Sequence, residues 1–232
     1  MVVRPSLSRV SWKPSWRLVS SRFPSAGLFD RVTRPEDLEV VFFVESLTND
    51  RLREEAGDIA IVPPQERVSG PGTTPIMAAF THLNPEGSRF SNGEYGVYYA
   101  AKSIETAVAE TAFHRARFLA ATKQRAIEID MRSYASDIEA ELHDIRGLGE
   151  QYPAIYDPDP TRYGAAQSIA SELRAKGSNG IVYDSIRDPS GECVAIFRPK
   201  VLSPVRQGLH YRYVWDGSAI KTIYEIRSLP PS

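Results

Sequence analysis

Apolar residues recur at helical spacing in two stretches of this chain and alternate with polar ones in several others. From Ile104 onward, Ala107, Val108, Thr111, Ala112, Arg115, Phe118 and Leu119 fall on one side of a 3.6-residue period, which predicts a helix from Ile104 to about Ala121. Ser103 stands where an N-cap belongs, and Glu105 places a negative charge in the first turn. Arg115 is the one charge in the stripe, and its aliphatic stem can pack there. Glu110 and His114, four apart, share a face at the border of that stripe. A second helix is predicted over Ala165–Lys176, with Ala166, Ile169, Ala170 and Leu173 inward and Gly177 as its left-handed stop.

Strand patterns are shorter. SWRLVSS, Gly96–Ala101, Ala126–Met131, Ile181–Asp184 and Cys193–Arg198 each read as extended. At the end of the chain Leu209, Tyr211, Tyr213 and Trp215 alternate, Asp216-Gly217 turns, and Ile220, Thr222 and Tyr224 alternate back, a C-terminal hairpin. Glu36–Leu52 reads as a helix with Pro35 near its start, and Asp58–Val62 as a strand closed by Pro63 and Pro64. Ile76–His82 fits strand or helix, and Asp144–Pro160 reads as a long loop. Many short strands, few helices and no regular βαβ spacing define an α+β domain. The expected organisation is an N-terminal arm over 1–15 and a single domain over 16–232 that includes the hairpin.

Composition narrows the classes. With 232 residues, 42% of them hydrophobic, the chain has material for one substantial core. Its 28 basic and 29 acidic residues leave a net charge of -1, which argues against an electrostatic nucleic-acid binder. The single cysteine, Cys193, cannot close an intrachain disulfide, which fits a reducing compartment. No apolar run reaches the roughly eighteen residues a bilayer span needs. The basic N-terminus lacks a secretory apolar segment, so a cytoplasmic protein without membrane contact is expected. Cys193 lies in ECVAIF, where a buried, inert thiol is the commoner reading than a nucleophile.

Familiar catalytic signatures are missing. GPGTTP lacks the lysine of a phosphate loop, and neither GxGxxG after a strand nor GxSxG occurs. His82, His114, His143 and His210 are scattered and, with Cys193, give no metal-ligand spacing, so no metal is expected. What stands out is GSRFSNGEYGVYYAAKSIETAVAET, which gathers Arg89, Tyr99 and Glu110. Singly, a turn arginine, a strand-end tyrosine and a helical glutamate are ordinary surface or packing residues. Together, an arginine that can grip a diphosphate, a ring that can stack on a heterocycle and a carboxylate beside an alanine-rich wall are the tools for cleaving the N-glycosidic bond of a dinucleotide. That chemistry alone makes a candidate.

The same stretch, followed by NGIVYDSIRDPSGECVAIFRP, closely resembles the RES domain, the toxin family of bacterial RES–Xre toxin–antitoxin pairs. In the resemblance Arg89 of GSRF is the family arginine, Tyr99 the tyrosine closing the next strand, Glu110 the helix glutamate and Ser185 the serine. WRLVSS is similar to a short N-terminal strand that carries a further arginine, here Arg17. The likeness runs from about Trp16 to Leu202. Phe90 stands where the family has tryptophan, a long insertion separates Arg17 from Arg89, and Cys193 takes a place where many members have asparagine. The resemblance implies an ADP-ribosyltransferase-like fold, a split mixed β-sheet with flanking helices and NAD in the cleft as substrate. It implies that Arg89, with Arg17 in the same role, binds the diphosphate, that Tyr99 packs nicotinamide or its ribose, and that Glu110 stabilises the oxocarbenium. Ser185 would hydrogen-bond nicotinamide or the nearby ribose, and His114 would position Glu110 or serve as a structural histidine. The implied activity is transfer of ADP-ribose to a target protein, with NAD breakdown by hydrolysis or phosphorolysis as the alternative and a non-enzymatic binding module as a third reading. The implied partner is a DNA-binding Xre-type antitoxin that blocks the cleft.

Overall fold

The computed structural model describes residues 5–21 and 57–227. Among them are seven strands: β1 Ser6–Ser20, β2 Tyr98–Ala101, β3 Ile127–Asp144, β4 Gly180–Asp184, β5 Glu192–Ile196, β6 Arg206–Trp215 and β7 Ile220–Ile226. Three α-helices accompany them: α1 Thr74–Thr81, α2 Ile104–Ala121 and α3 Gly164–Ala175. The class is mixed α+β, as the strand and helix patterns predict.

The strands follow the order β1-β2-β5-β4-β3-β6-β7, with β1 also paired to β3. Two antiparallel blocks make up this sheet, β1-β3-β6-β7 and β2-β5-β4. They touch along two narrow seams. β1 meets β2 through the single pair Trp16↔Ala101, and β3 meets β4 in parallel through His143↔Ile181 and Asp144↔Val182. The sheet is thus split, and the split is what opens a cleft.

Apolar side chains fill both faces. On β4 and β5, Val182, Val194 and Ile196 enter a core with Trp12, Ile76, Met77, Phe80 and Ile138. Their neighbours Ile181, Tyr183, Cys193 and Ala195 enter a second core with Leu18, Ala107, Met131, Ile169 and Leu173. Strand alternation assigns one residue to each face in turn. α1 covers the first core, and α2 and α3 cover the second. β1 serves both with even-numbered residues, because three of its residues span two of β3 between Trp12↔Ile138 and Ser15↔Ser136. That bulge, at a proline that could not donate to a ladder, shifts the register by one. Val10 and Trp12 therefore face the first core, whereas Trp16 and Leu18 face the second.

Several expectations change. The stretch expected as an arm over 1–15 is, from Ser6 on, the first two-thirds of β1. β3 continues to Asp144, well beyond the Met131 at which its apolar alternation fades. Serines supply the continuation: Ser133 and Ser136 are fully buried, and their hydroxyls donate to the carbonyls of Leu209 and Ser203 at 2.8 and 2.7 Å. Satisfied in this way, a small polar residue can be buried between close strands at little cost. Asp58–Val62 is a 3-10 turn over Ile59–Ile61, not a strand, because the Asp58 carboxylate accepts the Ala60 N–H at 2.9 Å and caps it. The Ile76–His82 ambiguity resolves as α1, with Pro75 in its first turn. α2 has the predicted bounds, α3 begins one residue earlier than predicted, and the hairpin is β6–β7. The helix expected over 36–52 lies outside the described residues.

Ile138 is fully buried at the centre of the first core. Replacing it with alanine is expected to cost about 2–5 kcal/mol in chemical denaturation. Leu7→Ala, at a side chain 57% exposed, should cost no more than about 0.5 kcal/mol.

Candidate active site

The helix that carries Glu110 is fixed by the turn that follows β4. Ser103 caps α2, its hydroxyl accepting the Thr106 N–H at 3.1 Å. Thr106, Glu110 and Phe113 then follow one another along a single helical face. Each is met by one residue of the turn. Thr106 Oγ1 donates to Asp188 Oδ2 at 2.6 Å, Ser185 Oγ donates to Glu110 Oε1 at 2.6 Å, and the Arg187 guanidinium lies 3.4 Å from the centre of the Phe113 ring. Arg187 also donates to the carbonyl of Pro158, so the turn joins α2 to the 153–163 segment. Gly191 permits the close approach: a Cβ there would lie 2.5 Å from Thr106 Cγ2 and 2.8 Å from Asp188 Oδ2.

Ser185 has little freedom. Its hydroxyl oxygen accepts the N–H groups of Arg187 and Asp188 at 3.1 and 3.0 Å. With both lone pairs engaged, its one proton goes to Glu110. Ser185 is buried behind the carboxylate, so it holds Glu110 and does not offer a free hydroxyl to a ligand.

Glu110 borders a cleft of about 660 Å³ that Arg17, Arg89, Tyr99 and His114 also line. Five of the six residues expected at the site thus share one space, and Ser185 reaches it through Glu110. Arg89 donates through Nη1 to the Ile155 carbonyl at 2.8 Å and through Nη2 to the Tyr163 hydroxyl at 3.1 Å. It lies 4.3 Å from the Tyr163 ring centre. Arg17 sits on the β1–β2 seam, donating to the Tyr99 carbonyl at 3.0 Å and packing 4.8 Å over Tyr98, while its buried Nε has no acceptor. Burial lowers the pKa of Arg17, opposed by Tyr98 and Tyr99.

The Tyr99 hydroxyl is committed within the protein. Its hydroxyl accepts the Phe90 N–H at 2.9 Å and bonds Ser88 Oγ at 2.8 Å, so it holds the loop that carries Arg89. Burial pushes this phenol far above its ordinary range. The ring is what Tyr99 has left to present to a ligand. Cys193, on the cleft floor, is likewise buried. Burial first and the charge of Glu110 second push its thiol far above the usual range, which leaves it protonated and poorly nucleophilic.

Arg115 and Arg117 line the same cleft, against the carboxylates Glu86 and Glu110. His114, just over half exposed, places Nε2 4.0 Å from Glu110 Oε2. Its pKa is lowered by desolvation and by Arg187, Arg89 and Arg117, while Glu110 opposes them. The imidazole is therefore neutral at pH 7. Among the described residues no group of His, Cys, Asp and Glu side chains converges as a metal site, and no helix is long and apolar enough to cross a membrane.

Sequence reasoning does not find Tyr163, Thr106, Arg187, Asp188, Arg115 or Arg117. Asp188 reads as a turn residue, and nothing in the pattern around Tyr163 tells that it meets Arg89.

Fold and site together define a split α+β protein that presents one fixed carboxylate to an arginine-lined cleft. Comparison with known proteins names the family. The chain belongs to the RES domain family, whose model matches residues 64–216. That span holds Arg89, Tyr99, Glu110, His114 and Ser185, leaves out Arg17, and reaches past the expected limit at Leu202 to include β6. The uncharacterised protein y4oC of Sinorhizobium fredii is 30% identical over 211 residues, 90% of this chain and 86% of that one. The crystal structure of the M. tuberculosis MbcT–MbcA toxin–antitoxin complex contains a chain at 12% identity and a TM-score of 0.43, covering 91% of this chain and 88% of that one.

Two measurements check the site. By NMR, His114 should titrate with its midpoint below the ordinary value, and Glu110→Gln should lower it further, because the neighbouring charge that favours the imidazolium is then gone. An unchanged midpoint in that variant would contradict the geometry. Ser185→Ala should lower stability by about 1–3 kcal/mol in denaturant titration, since it strands the N–H groups of Arg187 and Asp188.

Proposed function

We propose that the protein is the toxin of a bacterial toxin–antitoxin pair that breaks the nicotinamide–ribose bond of NAD and transfers ADP-ribose to a target protein. The observation that carries this reading is the fixed carboxylate: Glu110, held by Ser185, on the wall of a cleft that Arg17 and Arg89 also line. Departure of neutral nicotinamide leaves positive charge on the ribose. A carboxylate already oriented toward the cleft stabilises that charge without reorganising in the transition state. The arginines supply the opposite sign for the diphosphate, and the Tyr99 ring offers a flat apolar face for nicotinamide or its ribose. NAD is a substrate in this reading, and no metal takes part. Family membership supports the toxin role and a DNA-binding Xre-type antitoxin that covers the cleft.

A second reading, destruction of NAD by water or phosphate, is favoured by the number of cations. Arg17, Arg89, Arg115 and Arg117 line the cleft, more than one diphosphate requires.

Nicotinamide release from NAD by the purified protein tests both. Glu110→Gln should lower release by about 10²–10³-fold while circular dichroism stays unchanged. Release that needs a small-molecule-free cell extract, with ADP-ribose found on a protein, supports transfer. Release in buffer or phosphate alone supports NAD destruction. No release under any condition would leave a binding module on this fold.

A further inference from the structure

Capture of ADP-ribose by a hydroxyl or water creates a proton that must go somewhere, and the Glu110–Ser185 pair does not provide for it. Glu110 already accepts the Ser185 proton on Oε1. It also serves the reaction only while ionised, since its charge opposes the cation on the ribose. The other acidic residue of the cleft, Glu86, is exposed on the 84–88 loop. The Cys193 thiol and the Tyr99 and Tyr183 phenols are all held protonated by burial. The remaining cations are arginines, which do not release their protons.

His114 is different in each respect. It lies one turn beyond Glu110 on the cleft side of α2, half exposed, with Nε2 4.0 Å from the carboxylate oxygen that Ser185 leaves free. Its ring packs edge-to-face with Phe113, the ring centres 5.3 Å apart. The charged groups that face it are Glu110 and Arg117 on its own helix, Arg187 on the turn after β4 and Arg89 on the loop before β2. Desolvation of the ring, aided by the three cations against the one anion, favours its base form.

From this placement we infer that His114 is the general base that takes the proton of the acceptor hydroxyl, a role that rests on the NAD-cleaving reading above. The C1′–N bond breaks with its electron pair left on the nicotinamide nitrogen, which becomes neutral. A lone pair of the acceptor oxygen forms the new bond to C1′, and the acceptor's proton passes to the imidazole. The positive charge that NAD brings thus ends on His114, beside Glu110, which stabilises it.

Azide separates this role from a structural one, because an anionic nucleophile has no proton to lose. Wild type, His114→Gln and Glu110→Gln are each incubated with NAD, with and without azide, and ADP-ribose and ADP-ribosyl azide are measured. Loss of a general base costs about 10²–10⁴-fold. His114→Gln should therefore form ADP-ribose at least about 100-fold more slowly than wild type while forming ADP-ribosyl azide within a few-fold of it. Wild-type water capture should fall as pH drops through the imidazole titration, and azide capture should not. Glu110→Gln should form neither product. His114→Gln that captures water at the wild-type rate, or that loses both products equally, would overturn the assignment and leave NAD cleavage standing. Wild type that forms neither product, with the small-molecule-free cell extract as well as without it, and leaves no ADP-ribose on protein would overturn NAD cleavage itself and this role with it.

Discussion

A serine hydroxyl has one proton and two lone pairs, and at Ser185 all three are spoken for. Two consecutive backbone N–H groups occupy the lone pairs, so the proton has a single destination, Glu110. The rest of the site follows from that constraint. The turn that supplies those N–H groups also supplies Asp188 to Thr106 and Arg187 to Phe113, so it grips α2 at three successive positions of one face. A helix held at three points can neither roll nor slide, and the carboxylate inherits that rigidity. The arrangement needs the turn to press close to the helix, which is where glycine at 191 is required.

The cleft exists because the sheet is divided. Had β1 paired with β2 along its length, their ladder would close the space that Arg17, Tyr99 and Glu110 now border. Pairing is confined to Trp16↔Ala101, and the Tyr99 carbonyl beside it accepts from Arg17. A buried carbonyl without a partner costs free energy, so the arginine both satisfies the seam and brings a cation to the cleft. The bulge in β1 is part of the same solution. It turns Trp16 and Leu18 toward the second core, where they form the cleft's wall on that side, after Val10 and Trp12 have served the first. One strand thereby joins two cores and borders the site between them.

How much of this could be read from the sequence depended on how local the cause was. α2 was legible to the residue because its cap, first-turn charge and stripe are all written within eighteen positions. The hairpin was legible because Asp216-Gly217 marks its turn, with Gly217 at a positive φ of 99°. The long reach of β3 was hidden, because Ser133 and Ser136 read as surface residues until the carbonyls of Leu209 and Ser203, some seventy residues on, take their hydroxyls. Asp58–Val62 was misread for the opposite reason: Ile59 and Val62 are buried as in a strand that packs on a core, but a carboxylate cap bends the backbone. At the site, the residue types Arg89, Tyr99, Glu110 and Ser185 were legible and the internal hydrogen bonds of two of them were not. Tyr99 spends its hydroxyl on the Phe90 N–H and Ser185 spends its proton on Glu110, and pairings of that kind are fixed only when distant segments meet.

A net charge of -1 over the chain conceals how unevenly charge is placed. Arg17, Arg89, Arg115 and Arg117 line the cleft together with only two carboxylates, Glu86 and Glu110, so the space is cationic. Such a surplus would repel like charge and scatter the side chains if nothing held them. Arg89 is instead tied to the Ile155 carbonyl and the Tyr163 hydroxyl and stacked on the Tyr163 ring, with donors still uncommitted. Its ordering is therefore completed during folding, and a ligand does not have to supply that entropy. Glu110 is the counterpart, a negative point held in place by Ser185 within the cationic field. A ligand suited to both carries negative charge along most of its length and positive charge at one centre. For such a ligand the arginines set orientation, and the carboxylate acts where the positive charge is greatest. The two kinds of residue divide binding from chemistry along the length of one cleft.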